Sequence, residues 1–374
     1  MTSLAVLGGD VDVVVDGERF VAVGAGLEVP TGAEVVDAGG CVVVAGFVDL
    51  QCNGAGGIDL TSAPEQVWEV AALLPRYGVT SWLPTIVTSP ADVPARALAA
   101  LSRPPTGLDD QAIAAPLGLH LEGPFLAMAR RGVHDPRHLA EPLGDGGRAA
   151  AWSREAGVAM VTLAPELPGA LDLADGLLRR GVVVAAGHSD ATAEQAVAAA
   201  DRGVTVVTHL FNAMAPLHHR APGLAGAALT DPRWRCGVIA DGLHLDPAVV
   251  ALAWNALGER LVLVTDAVAA LGAPPGPVRL AGATVEATGD GVRLPDGTLA
   301  GSDLSMDLAV RNLVAFARCS LRDAAAAASA APASVLGLAD RGRLEPGAIA
   351  DVVVLTPRGD VVATVVRGVV AWRS

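Results

Sequence analysis

Eight short apolar runs, separated by stretches that include several rich in Ala and Leu, constrain the fold of this chain more than any other feature. They fall at residues 42–50, 79–85, 117–122, 158–164, 182–186, 204–209, 236–240 and 261–265. Rich in Val and Leu and without strict apolar–polar alternation, they read as strands buried on both faces of a parallel sheet. The intervening segments, such as 65–77, 191–201 and 247–257, have helical character. Eight strand–helix units over roughly 290 residues predict an α/β fold, a (β/α)8 TIM barrel. A doubly wound sheet is the competing architecture. Chemistry at the tips of strands one, three, five, six and eight favours closure, because a closed barrel brings every strand tip to one mouth.

The chain ends read differently. Residues 11–15 and 20–23 are short strands around an Asp16-Gly17 turn, and a further β-rich run reaches Val44. Residues 349–355 and 361–370 are again β-rich, with a turn at 357–359. Each end is too small to fold alone. The expectation is a small β-sandwich domain built from 1–44 and 340–374, beside a metal-dependent catalytic barrel at 45–339. After the eighth strand, 278–298 predicts an inserted hairpin with turns at Asp290-Gly291 and Asp296-Gly297. The Ala-rich tract 324–331 predicts one packed helix.

Composition removes several functions. Of 374 residues, 52% are hydrophobic but only 3% aromatic, so a large core must be made of Val, Leu and Ala. A formal charge of −14 argues against nucleic acid and anionic membranes as partners. All 26 basic residues are Arg. Without Lys there is no Schiff base, no Walker A lysine and no carbamylated lysine bridging two metals. Cys41, Cys52, Cys236 and Cys319 are scattered, with neither zinc-knuckle spacing nor a disulfide framework, which fits a reducing compartment. Met1-Thr2-Ser3 has no basic leader and no apolar run reaches 18 residues, so a cytoplasmic protein is expected.

The chemistry sits at the strand tips. The third run ends in His120-Leu121-Glu122-Gly123-Pro124, the fifth leads to Gly187-His188-Ser189, and the sixth ends in Thr208-His209-Leu210-Phe211-Asn212. One such His alone is more often a hydrogen-bonded structural residue. A carboxylate and two imidazoles from one barrel mouth make the His2Glu set of a catalytic metal site, so Glu122, His188 and His209 are the expected ligands. Asp266, after the eighth run, is the expected acid/base; the bland alternative is a helix N-cap. At strand one, Gln51 and Asn53 stand where many barrel hydrolases carry a His-x-His pair for a second metal, which predicts a single-metal site. The Gly54-Ala55-Gly56-Gly57 run reads as a tight turn rather than a phosphate loop. His134, Asn212, the His218-His219-Arg220 run and His244 lie on neighbouring loops and predict an anion pocket, although any one of them alone would be a solvated loop residue.

Taken together, these segments, with Gly46-Phe47-Val48-Asp49, Asp241-Gly242-Leu243-His244, Thr265-Asp266-Ala267 and Leu299-Ala300-Gly301-Ser302, resemble the N-acetylglucosamine-6-phosphate deacetylases, a branch of the amidohydrolase superfamily. The resemblance spans the whole chain. It implies hydrolysis of the acetamide of N-acetylglucosamine 6-phosphate to glucosamine 6-phosphate and acetate, with one divalent metal per chain: zinc first, then Fe2+, Co2+ or Mn2+. By the same resemblance His134 lies near the acetamide carbonyl, and Asn212, Ala213, Arg220, His244, Leu299, Ala300 and Gly301 line the sugar phosphate, with Gln51 and Asn53 also counted among the substrate-binding residues. A homodimer with the phosphate site near its interface is also implied. Two alternatives remain open at this stage: a sister enzyme acting on the galactosamine epimer, and a catalytically dead scaffold.

Overall fold

The structure is a computed structural model that describes residues 3–104 and 112–374. Met1 and Thr2, read above as lacking a basic leader, lie outside the described residues. Eight parallel strands form the barrel: β1 (Phe47–Cys52), β2 (Val79–Val87), β3 (Leu119–Glu122), β4 (Val158–Leu163), β5 (Val183–Ala186), β6 (Val206–Val207), β7 (Arg235–Val238) and β8 (Leu261–Leu263). Each pairs in parallel with the next. Between β8 and β1 there is no regular ladder. A bridge between Cys52 and Ala267 closes the circle, with Asp266 N–H donating to Gln51 O at 2.9 Å. The expected barrel is therefore the observed one. Its filling is aliphatic, as the composition requires, with Trp82 and Trp234 among the few large aromatic exceptions.

The first run divides. Val42–Ala45 is a separate strand, antiparallel to Val352–Leu355, and only Phe47–Cys52 enters the barrel. The break is at Gly46, where a Cβ would stand 2.2 Å from Thr80 Oγ1 and 2.8 Å from Asp351 Cβ. Only glycine lets the backbone pass that close.

Two four-stranded sheets come from the chain ends. One is made of Ser3–Leu7, Asp12–Asp16, Arg19–Gly24 and Glu34–Asp37; the other joins Val42–Ala45 to Val352–Leu355, Val361–Val366 and Val369–Arg373. Strand alternation explains how they stack. Val43, Val352 and Val354 face the first sheet, while Val44, Val353 and Leu355 face the barrel core. The second sheet is thus covered on both sides, as its continuous Val run suggests.

Two other segments differ from expectation in detail. The Ala-rich tract forms two helices, Leu321–Ala328 and Ala330–Val335, rather than one. Pro332 has no N–H for the Ala328 carbonyl and its ring would clash there, so the helix restarts at Ser329. The insertion after β8 has three strands, Gly276–Leu280, Ala283–Thr288 and Gly291–Arg293, with its own small core of Val268, Leu280, Val285 and Val292. The 193–201 helix starts as its sequence dictates, with Thr192 and Gln195 closing a reciprocal capping box. No helix among the described residues is long and apolar enough to cross a membrane.

Candidate active site

Glu122 is the last residue of β3, and His188, His209 and Asp266 follow the ends of β5, β6 and β8. The last three share an unusual backbone: φ is 49° at His188, 32° at His209 and 49° at Asp266. The left-handed turn swings each side chain off its strand, and non-glycine residues hold it only where the surroundings enforce it. All four side chains are buried.

Three of them converge. Glu122 Oε1 is 3.1 Å from His188 Nε2 and 3.0 Å from His209 Nε2, and the two nitrogens are 3.1 Å apart. His188 Nδ1 donates to the Arg130 carbonyl at 2.8 Å, which leaves a lone pair on Nε2 of the neutral ring. Three electron-rich atoms facing one point repel each other unless a cation sits between them. Tetrahedral bonds of 2.0–2.1 Å place ligand atoms about 3.3 Å apart, close to this triangle. The set fits a divalent metal.

Glu122, His134 and His188 also form a group, with ligand atoms within 4.8 Å of one another. Hydrogen bonding argues against His134 as a ligand. The Thr88 backbone N–H donates to His134 Nδ1 at 3.3 Å, so Nδ1 is the bare nitrogen and Nε2 carries the proton. Burial and the neighbouring His188 push the pKa of His134 down to about 3, keeping the ring neutral. Its Nε2–H, 3.9 Å from Glu122 Oε2, is a donor and not a lone pair.

Asp266 stands in a different electrostatic setting from Glu122. Burial raises the Glu122 pKa, but a proton carried by His188 or His209 on Nε2 and donated to Glu122 more than offsets this and holds it well below the usual carboxylate range; a cation in the triangle would take the place of that proton. Burial and the charge on Glu122 push Asp266 up to about 6. Two neutral amides steady it: Asn53 Nδ2 and Gln51 Nε2 donate to Asp266 Oδ1 at 2.7 and 3.1 Å. Gln51 Nε2 also lies 3.2 Å from Glu122 Oε1, so an amide rather than a second cation bridges the carboxylates.

A cavity of about 350 Å³ opens over these residues. Asn53, Asn212, Ala213, His244, Leu299 and Gly301 line it, as do His134 and Asp266. His244 Nδ1 meets Asp241 Oδ2 at 2.6 Å, so Asp241 orients the ring. Gln51 lies beneath the lining. Ala300 is fully buried in the small core of the insertion, so its contribution there is packing. Arg220 is exposed and does not line the cavity within one chain, nor do His218 and His219, whose rings lie 4.3 Å apart on the same loop. The glycine run forms the expected tight turn, Gly54–Ala55 pairing with Ile58–Asp59 around Gly56 and Gly57.

Sequence reasoning passed over three contributors: Thr88, Arg130 and Asp241. Thr88 fixes the His134 tautomer, Arg130 anchors His188 and lines the cavity, and Asp241 holds His244. Asp241 lay inside a quoted segment and was within reach of sequence reading, whereas Thr88 and Arg130 act through backbone groups that residue identity does not announce. His120 sits one layer below, bonded to Leu50 O and Thr162 Oγ1, with burial lowering its pKa to about 4. It stitches strands together.

The model of the amidohydrolase family matches residues 42–371. The N-acetylglucosamine-6-phosphate deacetylase of Homo sapiens is 41% identical over 351 residues, covering 90% of this chain and 85% of that protein. The N-acetylgalactosamine-6-phosphate deacetylase of Escherichia coli O157:H7 is 39% identical over 313 residues, covering 83% and 82%. Among solved structures, the N-acetylglucosamine-6-phosphate deacetylase of Pasteurella multocida superposes with a TM-score of 0.91 at 29% identity, covering 100% of both chains.

Proposed function

The chain belongs to the amidohydrolase family, and from that premise we infer that it hydrolyses the acetamide of N-acetylglucosamine 6-phosphate to glucosamine 6-phosphate and acetate. The observation that carries the chemistry is the Glu122–His188–His209 triangle with Asp266 beside it. These three residues would hold one divalent metal, with zinc the first candidate for an N2O donor set. When bound, such an ion acidifies a water and polarises the acetamide carbonyl.

The protein's own groups supply the rest. Asp266, with Oδ1 occupied by Gln51 and Asn53, offers Oδ2 to take the proton of the attacking water. The water oxygen bonds to the carbonyl carbon, and the developing oxyanion is met by the Nε2–H of neutral His134. Asp266 then returns the proton to the nitrogen, the C–N bond breaks, and the amine leaves neutral. Asn212, Ala213, His244, Leu299 and Gly301 support a sugar-phosphate subsite by lining the cavity. Arg220 joins that subsite only from a second copy, which favours a homodimer. A cytoplasmic location follows from amino-sugar phosphate metabolism as part of the same proposal.

Acetate release from N-acetylglucosamine 6-phosphate and from its galactosamine epimer, followed on protein of known metal content, tests this reading. Faster turnover of the glucosamine epimer is expected. Preference for the galactosamine epimer would reassign the substrate, and no release from either would overturn the reaction.

A further inference from the structure

The barrel is closed where the proposed proton carrier stands. Asp266 keeps its left-handed φ of 49° because its neighbours enforce it: its N–H donates to Gln51 O at 2.9 Å, and its carbonyl accepts from Ser302 N–H at 2.9 Å. Ser302 Oγ also donates to the Thr265 carbonyl at 2.5 Å. One step further back is Asp49, on β1 and 1% exposed. Its Oδ2 accepts from Thr265 Oγ1 at 2.5 Å; its Oδ1 accepts from the backbone N–H of Thr265 at 3.3 Å and of Gln51 at 3.1 Å. No Arg or His pairs with it among the described residues. Burying a carboxylate without a counter-ion is unfavourable, and filling the space would not require one. Both oxygens instead reach the two residues that fix Asp266, namely Thr265 before it and Gln51 against its Oδ1.

We propose that Asp49 is a positioning residue for the hydrolysis, holding Asp266 in its strained conformation through Thr265 and Gln51. The inference rests on the acid/base role of Asp266. A shift of a fraction of an ångström in a proton carrier slows the chemical step far more than substrate binding.

The test compares Asp49→Asn, Thr265→Val, Thr265→Ser, the Asp49→Asn/Thr265→Val double variant and Asp266→Asn, measuring kcat, KM and bound metal in each. Asp49→Asn and Thr265→Val should lose on the order of tenfold to a hundredfold in kcat with KM within about twofold and metal retained. Thr265→Ser, which keeps the hydroxyl, should stay near wild type. The double variant should be no slower than the worse single one, because both break one link. Unchanged kcat in Thr265→Val, or losses that multiply in the double variant, would overturn the proposal. If Asp49→Asn does not fold, the contrast between Thr265→Val and Thr265→Ser decides alone. Normal turnover by Asp266→Asn removes the acid/base reading and this proposal together; an inactive Asp266→Asn beside a fully active Thr265→Val removes only this one.

Discussion

Asp266 and Glu122 lie in the same cavity, yet their surroundings drive them to opposite states. Glu122 is locked as a carboxylate by two imidazoles, while burial and the Glu122 charge raise Asp266 to about 6. That divergence suits the proposed roles of Glu122 as a metal ligand and Asp266 as the proton carrier. Asp266→Asn should retain metal and fold but lose at least ~10²-fold in turnover, the scale of a positioned proton-transfer group. Among the described residues no helix starts directly after Asp266, so the N-cap alternative does not apply, and near-normal turnover would leave the proton-transfer role without a carrier at this position. The pH dependence has a definite sign. Asp266 must be deprotonated to accept a proton, so kcat/KM should be full above its pKa and fall as pH drops through it. A bound cation only favours the carboxylate, so the acid limb should lie at or below about 6 in the metal-loaded enzyme. An acid limb well above 6 in the pH–rate profile would contradict the assignment.

At the scale of elements, the strands were legible and their junctions were not. Runs buried on both faces announce themselves by continuous Val and Leu, which is why β2 to β8 fall inside or beside the expected segments. The break at Gly46 is set by a clash with Thr80, 34 residues away in sequence, and the helix restart at Ser329 depends on where Pro332 falls in the turn. That Glu122, His188, His209 and Asp266 meet at one barrel mouth was readable, because residue type and strand-tip position announce it. Asp49 was not, since within a strand it resembles any polar residue until Thr265 is seen beside it. Its setting yields a stability prediction for the β8–β1 seam. Burial pushes Asp49 up to about 7 despite the bond from Thr265. A folded-state pKa above the unfolded one contributes stability that is full below about 4 and is lost as pH rises toward about 7. Asp49→Asn carries no such titration. Its Tm relative to wild type should therefore climb between about pH 4 and pH 7 and level off above, as calorimetry of both proteins would register. A constant difference would mean that Asp49 does not titrate in that window.

For the whole molecule, charge is the organising constraint. A single metal is expected because Gln51 places an amide between the carboxylates where a second ion would need ligands; elemental analysis should give about one equivalent per chain. Two tightly held ions, both needed for activity, would refute this. The phosphate poses a harder problem for a chain of formal charge −14 without lysine. The cavity already holds Glu122 and Asp266, and the basic side chains that line it besides His188, His209 and the neutral His134 are Arg130 and His244, the former bonded through Nε to Asp190 at 2.5 Å and the latter held by Asp241. Arg220, whose planar fork suits phosphate oxygens, stands exposed on the loop after β6. Under the proposed function it would reach the phosphate only if a second copy brought it to the cavity of the first. Charge-assisted bonds of this kind contribute about 1.5–3 kcal/mol each. Arg220→Ala should then lower kcat/KM on the order of tenfold to a hundredfold, and only for phosphorylated substrate. The decisive comparison sets the variant against wild type on N-acetylglucosamine with and without the 6-phosphate. Loss by the same factor on both sugars would make Arg220 a support of the fold or of the interface itself, and the phosphate assignment would be wrong.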